Sequence, residues 1–371
     1  MPNGVGLSKS RQSALNSNLS AWANHFGPRF VLGLSGGGDS MALALGCASW
    51  MQSGAGSVHA VCVDHGLRDG SFDEAQQTVT WAGRLGLTTQ IVSLELERGK
   101  TRQQERAREG RHNALLSAAK TQKARVILLA HTIDDQHETV ALRLASKTGL
   151  DGLAGMAKLA PSPFYHDTWP CLLGRPLLDV ERAALRHDLD QAGQEWHDDP
   201  SNLNPAFARI RARARLSKLA AVGADTLTLG RIASQAAALR VVTDDSARAL
   251  LSQADLWGGD AQISLSSEML ANAPAFAAQR VLGWLAFAVG GDARLAEFAK
   301  TTRLYDAVKA PDFRGVTLAH AKFERAEGFL IVTRAPARKN EIPAKRHKLR
   351  DITLRLLAIS GDIDRFVTHL R

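Results

Sequence analysis

The chain has 371 residues, of which 45% are hydrophobic and 22% are charged, and its formal net charge is +9. The length predicts two or three domains and argues against a single small core. The positive charge favours a polyanionic partner, of which nucleic acid is the first candidate. The alternative is that this is simply a basic soluble protein with no such partner.

The cysteines and the apolar runs narrow the class of protein further. Cys47, Cys62 and Cys171 are scattered without a C-x-x-C pair, so neither a disulfide framework nor a zinc site is indicated. No apolar run approaches the length that spans a bilayer, and residues 1–28 lack an apolar secretory core. We therefore expect a cytoplasmic protein with no membrane association.

Short apolar runs alternate with helical patterns in the first half of the chain. The runs predicted as strands are residues 31–34, 58–63, 90–94 and 126–130. The predicted helices are residues 39–52, 72–85, 103–121 and 134–146. This alternation predicts an α/β domain with a doubly wound, mostly parallel sheet. In such sheets ligands bind beyond the carboxyl ends of the strands, so the residues after each run are candidates for the site.

A glycine-rich turn follows the first predicted strand. Its sequence is Ser35-Gly36-Gly37-Gly38-Asp39-Ser40. Glycines let the backbone approach an anion at the start of a helix, although an ordinary strand-to-helix turn would also use them. The turn lacks the Gly-Lys-Ser/Thr of a Walker A loop and the spacing of a dinucleotide fingerprint. Because Asp39 would repel a phosphate unless a cation lay between them, we expect a magnesium-bound triphosphate or pyrophosphate.

Polar clusters follow two later strands. His65 and Arg68 come after the second, where an incidental charged loop is the alternative. The segment after the fourth contains His131, Asp135 and Glu138, and the two acids are three residues apart, so they can share one helix face. These acids could be helix caps, ligands of a transition metal together with His131, or partners of a cationic substrate.

Two arginine-containing segments, a predicted helix and a helix or extended segment, complete the candidate residues. Arg108 and Arg111 share a face of the predicted third helix, which composition alone would describe as salt-bridged and exposed. In residues 207–215 arginine occupies every second position, including Arg209 and Arg213. Such a segment can grip phosphate or carboxylate from several directions.

The glycine turn resembles the PP-loop signature Ser-Gly-Gly-x-Asp-Ser of the N-type ATP pyrophosphatases, which split ATP between the α- and β-phosphates. Further motifs follow in a fixed order over residues 29–216, and the ordered set is similar to one family, the tRNA(Ile)-lysidine synthetases. The motifs are His65 to Arg68, Ala107 to Arg111, His131 to Thr139, Gly149 to Met156, Arg175 to Leu178, and Asp199 to Asn202.

Two positions depart from the family pattern. Ile210 stands where the family usually has Asn, so that side chain's contribution is missing. Ser146-Lys147-Thr148-Gly149 stands where Arg-Gly-Ser-Gly is common, which leaves the conformation of that loop open.

The resemblance implies formation of lysidine at cytidine 34 of the tRNA(Ile) with a CAU anticodon, from ATP and L-lysine. ATP would bind at Ser35 to Ser40, with Mg²⁺ near Asp39. Asp135 and Glu138 match the family's acid-lined lysine pocket, and Arg111 matches its functional helix arginine, so Asp39, Arg111, Asp135 and Glu138 are the predicted catalytic residues. The expected substrate-binding residues are His65, Arg68, Arg108, Arg111, His131, Asp135, Glu138, Arg209 and Arg213.

The second half of the chain changes character. Residues 216–253 and 275–309 have helical periodicity, and residues 315–319 and 328–333 read as a small β-hairpin around a polar stretch. We therefore predict a catalytic domain at residues 1–215, a mainly helical tRNA-binding domain at residues 216–335, and a basic linker with a C-terminal helix at residues 336–371. The linker would contact RNA phosphates, or would simply be solvated. Longer family members carry a further C-terminal domain, for which residues 351–371 are too few.

Two other functions remain as alternatives. A PP-loop tRNA thiolase would share the glycine turn but usually needs reactive or cluster-binding cysteines. The three cysteines of this chain are scattered and offer no such pair. A non-catalytic RNA-binding protein that keeps an old nucleotide site would have no use for acids at 135 and 138. A homodimer is a possible oligomeric state.

Overall fold

The structure is a computed structural model of the chain. It describes residues 6–66, 70–94, 103–146, 149–162, 171–198, 208–221, 227–253, 255–257, 262–291 and 296–336. The chain divides into two compact units, residues 1–236 and 237–371. No helix in these described ranges is long and apolar enough to cross a membrane.

The first unit is built on a six-stranded sheet. Its strands are β1 (Arg29–Leu34), β2 (Ser57–Asp64), β3 (Thr88–Ser93), β4 (Val126–Leu128), β5 (Leu159–Pro161) and β6 (Leu172–Gly174). The order across the sheet is β3-β2-β1-β4-β6-β5, and every neighbouring pair is parallel except β5 with β6. The strand order reverses between β1 and β4, which is where doubly wound sheets bind ligands. The predicted fold class is confirmed.

Helices cover both faces of this sheet. They are α1 (Lys9–Phe26), α2 (Gly38–Gln52), α3 (Ser71–Arg84), α4 (Gln103–Thr121), α5 (Ile133–Ala145), α6 (Leu150–Leu153), α7 (Arg182–Ala192) and α8 (Ala208–Ala221). Phe30 of β1 lies against Trp50 of α2, whereas the next residue, Val31, packs with Leu115 of α4. Successive strand side chains point to opposite faces, so β1 is buried between two helical layers.

The second unit combines helices with an antiparallel sheet. Helix α9 (Leu227–Leu251) begins before the division between the units, and it is followed by α10 (Ser267–Asn272), α11 (Ala275–Gly290) and α12 (Phe298–Lys309). The strands are β7 (Asp255–Trp257), β8 (Gln262–Ser266), β9 (Gly315–Leu318), β10 (Ala321–Ala326) and β11 (Phe329–Arg334). They form a five-stranded sheet in the order β7-β8-β11-β10-β9. Trp284 of α11 and Phe323 of β10 lie in the buried core of this unit.

The predicted hairpin proves to be part of this larger sheet. Both expected strands are present as β9 and β11, but the polar segment between them is itself a strand, β10, which pairs with both. Ala321 and Phe323 are fully buried, while Lys322 and Glu324 between and beyond them are not. This alternation is typical of a half-buried strand. Because the outer face of β10 is charged, a search for continuous apolar runs does not detect the strand.

Candidate active site

The glycine turn lies at the centre of the first sheet, between β1 and the start of α2. Gly36 has a φ of +79°, a conformation that side chains rarely adopt, and a Cβ added there would lie 2.4 Å from Oγ1 of Thr78. The backbone N–H of His197 donates to the carbonyl of Gly36 at 2.9 Å, and Trp196 packs against Gly38. The turn is therefore held tightly on the side of α3 and of the segment after α7.

The two serines of the turn bind each other and the backbone. Ser40 Oγ donates to the carbonyl of Gly37 at 2.8 Å and accepts from the backbone N–H of Ser35 at 3.2 Å. The Oγ atoms of Ser35 and Ser40 are 3.1 Å apart. Because the first N–H groups of a helix have no partner within it, the start of α2 offers them to an anion. The predicted ATP-binding residues thus form one preorganised loop.

Arg182, the first residue of α7, joins the glycine turn to the start of α5. Its Nε donates to Oδ2 of Asp39 at 2.8 Å, and one terminal nitrogen donates to Oδ1 of Asp135 at 3.1 Å. Its other terminal nitrogen lies 3.8 Å from Oε1 of Glu138, which is an ion-pair contact too long for a hydrogen bond. One guanidinium therefore contacts all three predicted catalytic acids.

Asp135 has a structural contact as well as its contact with Arg182. Its Oδ2 accepts from the backbone N–H of Thr132 at 2.9 Å and from Thr132 Oγ1 at 3.2 Å, which forms a capping box at the start of α5. The neighbouring Asp134 accepts from the backbone N–H of Arg182 at 2.8 Å. The helix-cap alternative is thus present for Asp135, but it engages Oδ2 and leaves Oδ1 directed at the site.

Glu138 is the most buried acid of the group, with 1% of its surface exposed. Its Oε1 accepts from Nε of Arg213 at 2.7 Å, so α8 contributes to the same site. Its Oε2 is buried and has no hydrogen-bond partner among the described residues. Buried carboxylate oxygens are nearly always hydrogen-bonded, so this unpaired oxygen indicates a place for a donor that the described residues do not supply.

Burial and the ion pairs shift pKa values in this acidic part of the site. Burial raises the pKa of Asp39, and the adjacent guanidinium of Arg182 offsets only part of that rise. For Arg182 itself burial disfavours the charge, but the carboxylates of Asp39, Asp135 and Asp134 outweigh it and raise its pKa. Arg182 is therefore a permanent cation in this site.

A basic group of side chains comes from α4 and from the residues directly after β2 and β6. The pKa of His65 is lowered by burial and by Arg111, against the opposing charge of Asp64. The pKa of His112 is lowered to about 4 by burial and by the charges of Arg111, Arg108 and Arg175. Arg111 thus acts on both histidines and Arg108 on His112, and their positive potential would attract a carboxylate or a phosphate.

The structure does not describe every predicted site residue. Arg68 and the motif at residues 199–202 lie outside the described residues, as does the basic linker beyond residue 336. Arg209 lies in α8, but its side chain is outside the described part of the chain. His131 is half-buried and lies two residues before the start of α5.

Sequence reasoning missed Arg182 and Gln136. Gln136 donates to the carbonyl of Met156 at 2.9 Å and accepts from its N–H at 2.7 Å, which anchors the loop after α6. Arg182 did carry a signal, because a cation in the first turn of a helix opposes the helix dipole and calls for a carboxylate partner.

The residues present fit a magnesium ion at the glycine turn. Oδ1 of Asp39 is buried at the start of α2, and none of the described residues supplies it with a hydrogen bond. Magnesium is commonly held by one or two carboxylates together with substrate phosphates and water. Among the described residues, no three His, Cys, Asp or Glu side chains are grouped so that they could hold a metal ion by themselves.

Comparison with known proteins agrees with this geometry. The solved structure of a U34-tRNA thiolase, NcsA from Methanococcus maripaludis, shares the fold with a TM-score of 0.51 at 16% identity, covering 62% of this chain and 78% of that one. A family model described as a PP-loop domain matches residues 11–220. The fold and the glycine turn therefore define a PP-loop ATP-binding protein, as predicted.

The sequence relatives are more specific. The tRNA(Ile)-lysidine synthase of Methylobacterium sp. (strain 4-46) is 37% identical over 83% of this chain and 90% of its own length. That of Hyphomonas neptunium is 34% identical over 77% of this chain and 76% of its own. The chain belongs to the tRNA(Ile)-lysidine synthase family, a family of ATP-dependent ligases, which confirms the family and enzyme class predicted from the motifs.

Proposed function

We propose that this site joins L-lysine to C2 of cytidine 34 in the tRNA(Ile) with a CAU anticodon, while ATP is converted to AMP and pyrophosphate. The observation that carries the proposal is the contact of one arginine with Asp39 of the ATP loop and with Asp135 and Glu138 of α5. These contacts support the proposal because they bring the predicted ATP loop and the predicted lysine-binding acids next to each other.

In the first step the cytosine 2-oxygen attacks the α-phosphate and pyrophosphate leaves. The N–H groups at the start of α2 would bind the phosphates, and Oδ1 of Asp39 would hold Mg²⁺, which supplies charge neutralisation when bound. The rigid contacts of Gly36 and Ser40 support this role, because donors fixed in advance need no reorganisation during the reaction.

In the second step the lysine ε-nitrogen attacks C2 and AMP leaves. Asp135 and Glu138 would hold the incoming ammonium and accept the proton that it must lose before attack. The unpaired Oε2 of Glu138 supports this assignment. Arg111 would bind the lysine α-carboxylate or an RNA phosphate, and Arg108, His65 and His131 would bind the same substrates. Arg68, Arg209 and Arg213 would likewise bind the RNA or the carboxylate.

The second half of the chain would bind the tRNA. We retain residues 1–215 as the catalytic domain, residues 216–335 as the tRNA-binding domain and residues 336–371 as a basic linker with a C-terminal helix. The net charge of +9 supports an RNA partner. A cytoplasmic location and a homodimer stay predictions.

The cysteines give no support to the thiolase alternative. All three are free and buried, and burial raises the pKa of Cys62 and of Cys171 to about 12. Buried thiols with raised pKa values are poor nucleophiles and poor metal ligands. Acids that contact the ATP loop fit an amine nucleophile better than sulfur.

The variant Asp135→Asn tests the proposed amine site. The amide can still cap α5 with its oxygen, but it cannot hold an ammonium by charge, so we expect kcat/KM for lysine to fall about 10²-fold or more while ATP affinity stays within about twofold. Labelled-lysine incorporation into tRNA and equilibrium binding of ATP measure the two quantities. Asp198→Asn, an exposed acid after α7, is the control. An unchanged kcat/KM would count against the role of Asp135.

A further inference from the structure

Arg182 occupies an unusual position for an arginine. It begins α7, where the helix dipole opposes a positive charge, and only 18% of its side chain is exposed. What holds it there is contact with carboxylates from two separate elements, Asp39 of α2 and Asp135 of α5. The acids thus hold Arg182 in place, and its single positive charge offsets part of their negative charge.

The same acids are the groups that the proposed function assigns to incoming cations. Asp39 is assigned to Mg²⁺, and Asp135 with Glu138 to the lysine ammonium. Both cations would therefore approach carboxylates that already bind the guanidinium. Two of these acids also keep an open oxygen for a newcomer, because within the described part of the chain Oδ1 of Asp39 and Oε2 of Glu138 are buried without hydrogen-bond partners.

We propose that Arg182 is a positioning residue that acts as a displaceable internal counter-ion, coupling the metal subsite at Asp39 to the amine subsite at Asp135 and Glu138. This inference rests on the proposed function. With metal and nucleotide bound, the positive charge beside Oδ1 of Asp39 would repel the guanidinium at Oδ2, and the added phosphate charge would attract it away from the acids. Asp135 would then lose its contact with Arg182 and Glu138 would keep only Arg213, so both acids would accept the lysine ammonium.

The coupling has a direct consequence for the order of binding. Without nucleotide, Arg182 competes with lysine for the acids and with a divalent cation for Asp39. With the metal and nucleotide bound, that competition is relieved, so lysine binds more tightly after ATP than before it. A single arginine thus links the two subsites with no movement of the sheet.

The first experiment measures the competition at Asp39 without any lysine. Mn²⁺ is titrated against wild-type protein and the variant Arg182→Gln in the absence of nucleotide, and free Mn²⁺ is followed by electron paramagnetic resonance. Loss of the competing cation is expected to tighten Mn²⁺ binding about tenfold. Equal or weaker Mn²⁺ binding by the variant would overturn the proposal.

The second experiment measures the coupling itself. Labelled lysine is dialysed against each protein with and without Mg²⁺ and an ATP analogue that cannot be cleaved between its α- and β-phosphates. The analogue should raise lysine affinity about tenfold in the wild type and less than about twofold in Arg182→Gln. An undiminished analogue effect in the variant would contradict the coupling.

Controls separate this role from a loss of folding. Arg186→Gln removes an arginine one turn later on α7, where it binds the exposed Asp198, and it should leave both titrations as in the wild type. Arg182→Lys keeps the charge but cannot bridge the acids, so it should change both titrations in the same direction as Arg182→Gln and by less. If Arg182→Gln does not fold, the lysine variant makes the same comparison, and wild-type values for it would overturn the proposal.

The results also distinguish this inference from the proposed function. If the wild type binds no lysine in either condition while Arg182→Gln still tightens Mn²⁺ binding, the amine site is wrong and Arg182 remains the counter-ion of Asp39. If lysine enters tRNA normally but Mn²⁺ binding is unchanged in the variant, the counter-ion is wrong and the proposed function stands.

Discussion

The variant Glu138→Gln is expected to lower kcat/KM for lysine by about 10²–10⁴-fold, because it removes the charge that would hold the ammonium and the base that would take its proton. Glu138 is almost fully buried and binds Arg213 at 2.7 Å, with Arg182 at 3.8 Å. An amide in its place leaves two arginines facing a neutral group. Labelled-lysine incorporation into tRNA at varied lysine concentration measures the effect.

The same variant should also destabilise the first unit, but by less than the about 3–5 kcal/mol that breaking a fully buried ion pair costs, because 40% of the Arg213 side chain is exposed to water. Thermal unfolding of the variant is therefore measured first. The kinetics are then run at a temperature at which the variant is folded. Glu297→Gln is the control. Glu297 is exposed, and its one ion pair among the described residues is with Lys300, three residues later. A variant that folds and turns over lysine normally would exclude Glu138 from the amine site.

The variant Asp39→Asn should lose activity by about 10²–10³-fold at a fixed Mg²⁺ concentration, because the amide oxygen is a weak ligand for Mg²⁺ beside the phosphates. A higher Mg²⁺ concentration should restore part of the rate. The measurement is the initial rate of pyrophosphate release as Mg²⁺ is varied at saturating ATP, tRNA and lysine.

Asp73→Asn provides a close control for this variant. Asp73 is also an acid in the first turn of a helix that follows a strand of the same sheet, but it is exposed and lies outside the site. It should show the wild-type Mg²⁺ requirement. If Asp39→Asn shows that same requirement, the magnesium assignment is wrong.

The strands and helices of the first unit could largely be predicted from the sequence, because apolar residues are spaced differently in the two kinds of element. Buried parallel strands are short continuous apolar runs, as in Val31 to Leu34, and helices between them keep a 3.6-residue pattern. Helix α1 was not predicted, since it is largely polar and buries mainly Leu15 and Leu19. Strand β10 was missed for a related reason, because charged residues occupy its outer face.

Within the candidate site, only the residues that come directly after strands could be predicted from the sequence. The glycine turn and the acids of α5 were found because parallel strands bring their carboxyl ends to one edge of the sheet. The contact between Arg182 and Asp39 spans 143 residues of sequence, and no local pattern relates the two. Likewise, the contact of Trp196 with Gly38 depends on the packing of the segment after α7 against the turn.

The most direct test of the function is a nucleoside analysis of tRNA after reaction. The tRNA(Ile) with a CAU anticodon is incubated with the protein, ATP, Mg²⁺ and labelled lysine, then digested and examined by mass spectrometry. We predict lysidine at position 34, with one AMP and one pyrophosphate formed for each lysine incorporated. No incorporation of lysine, or equal incorporation when uridine replaces cytidine 34, would contradict the proposed function.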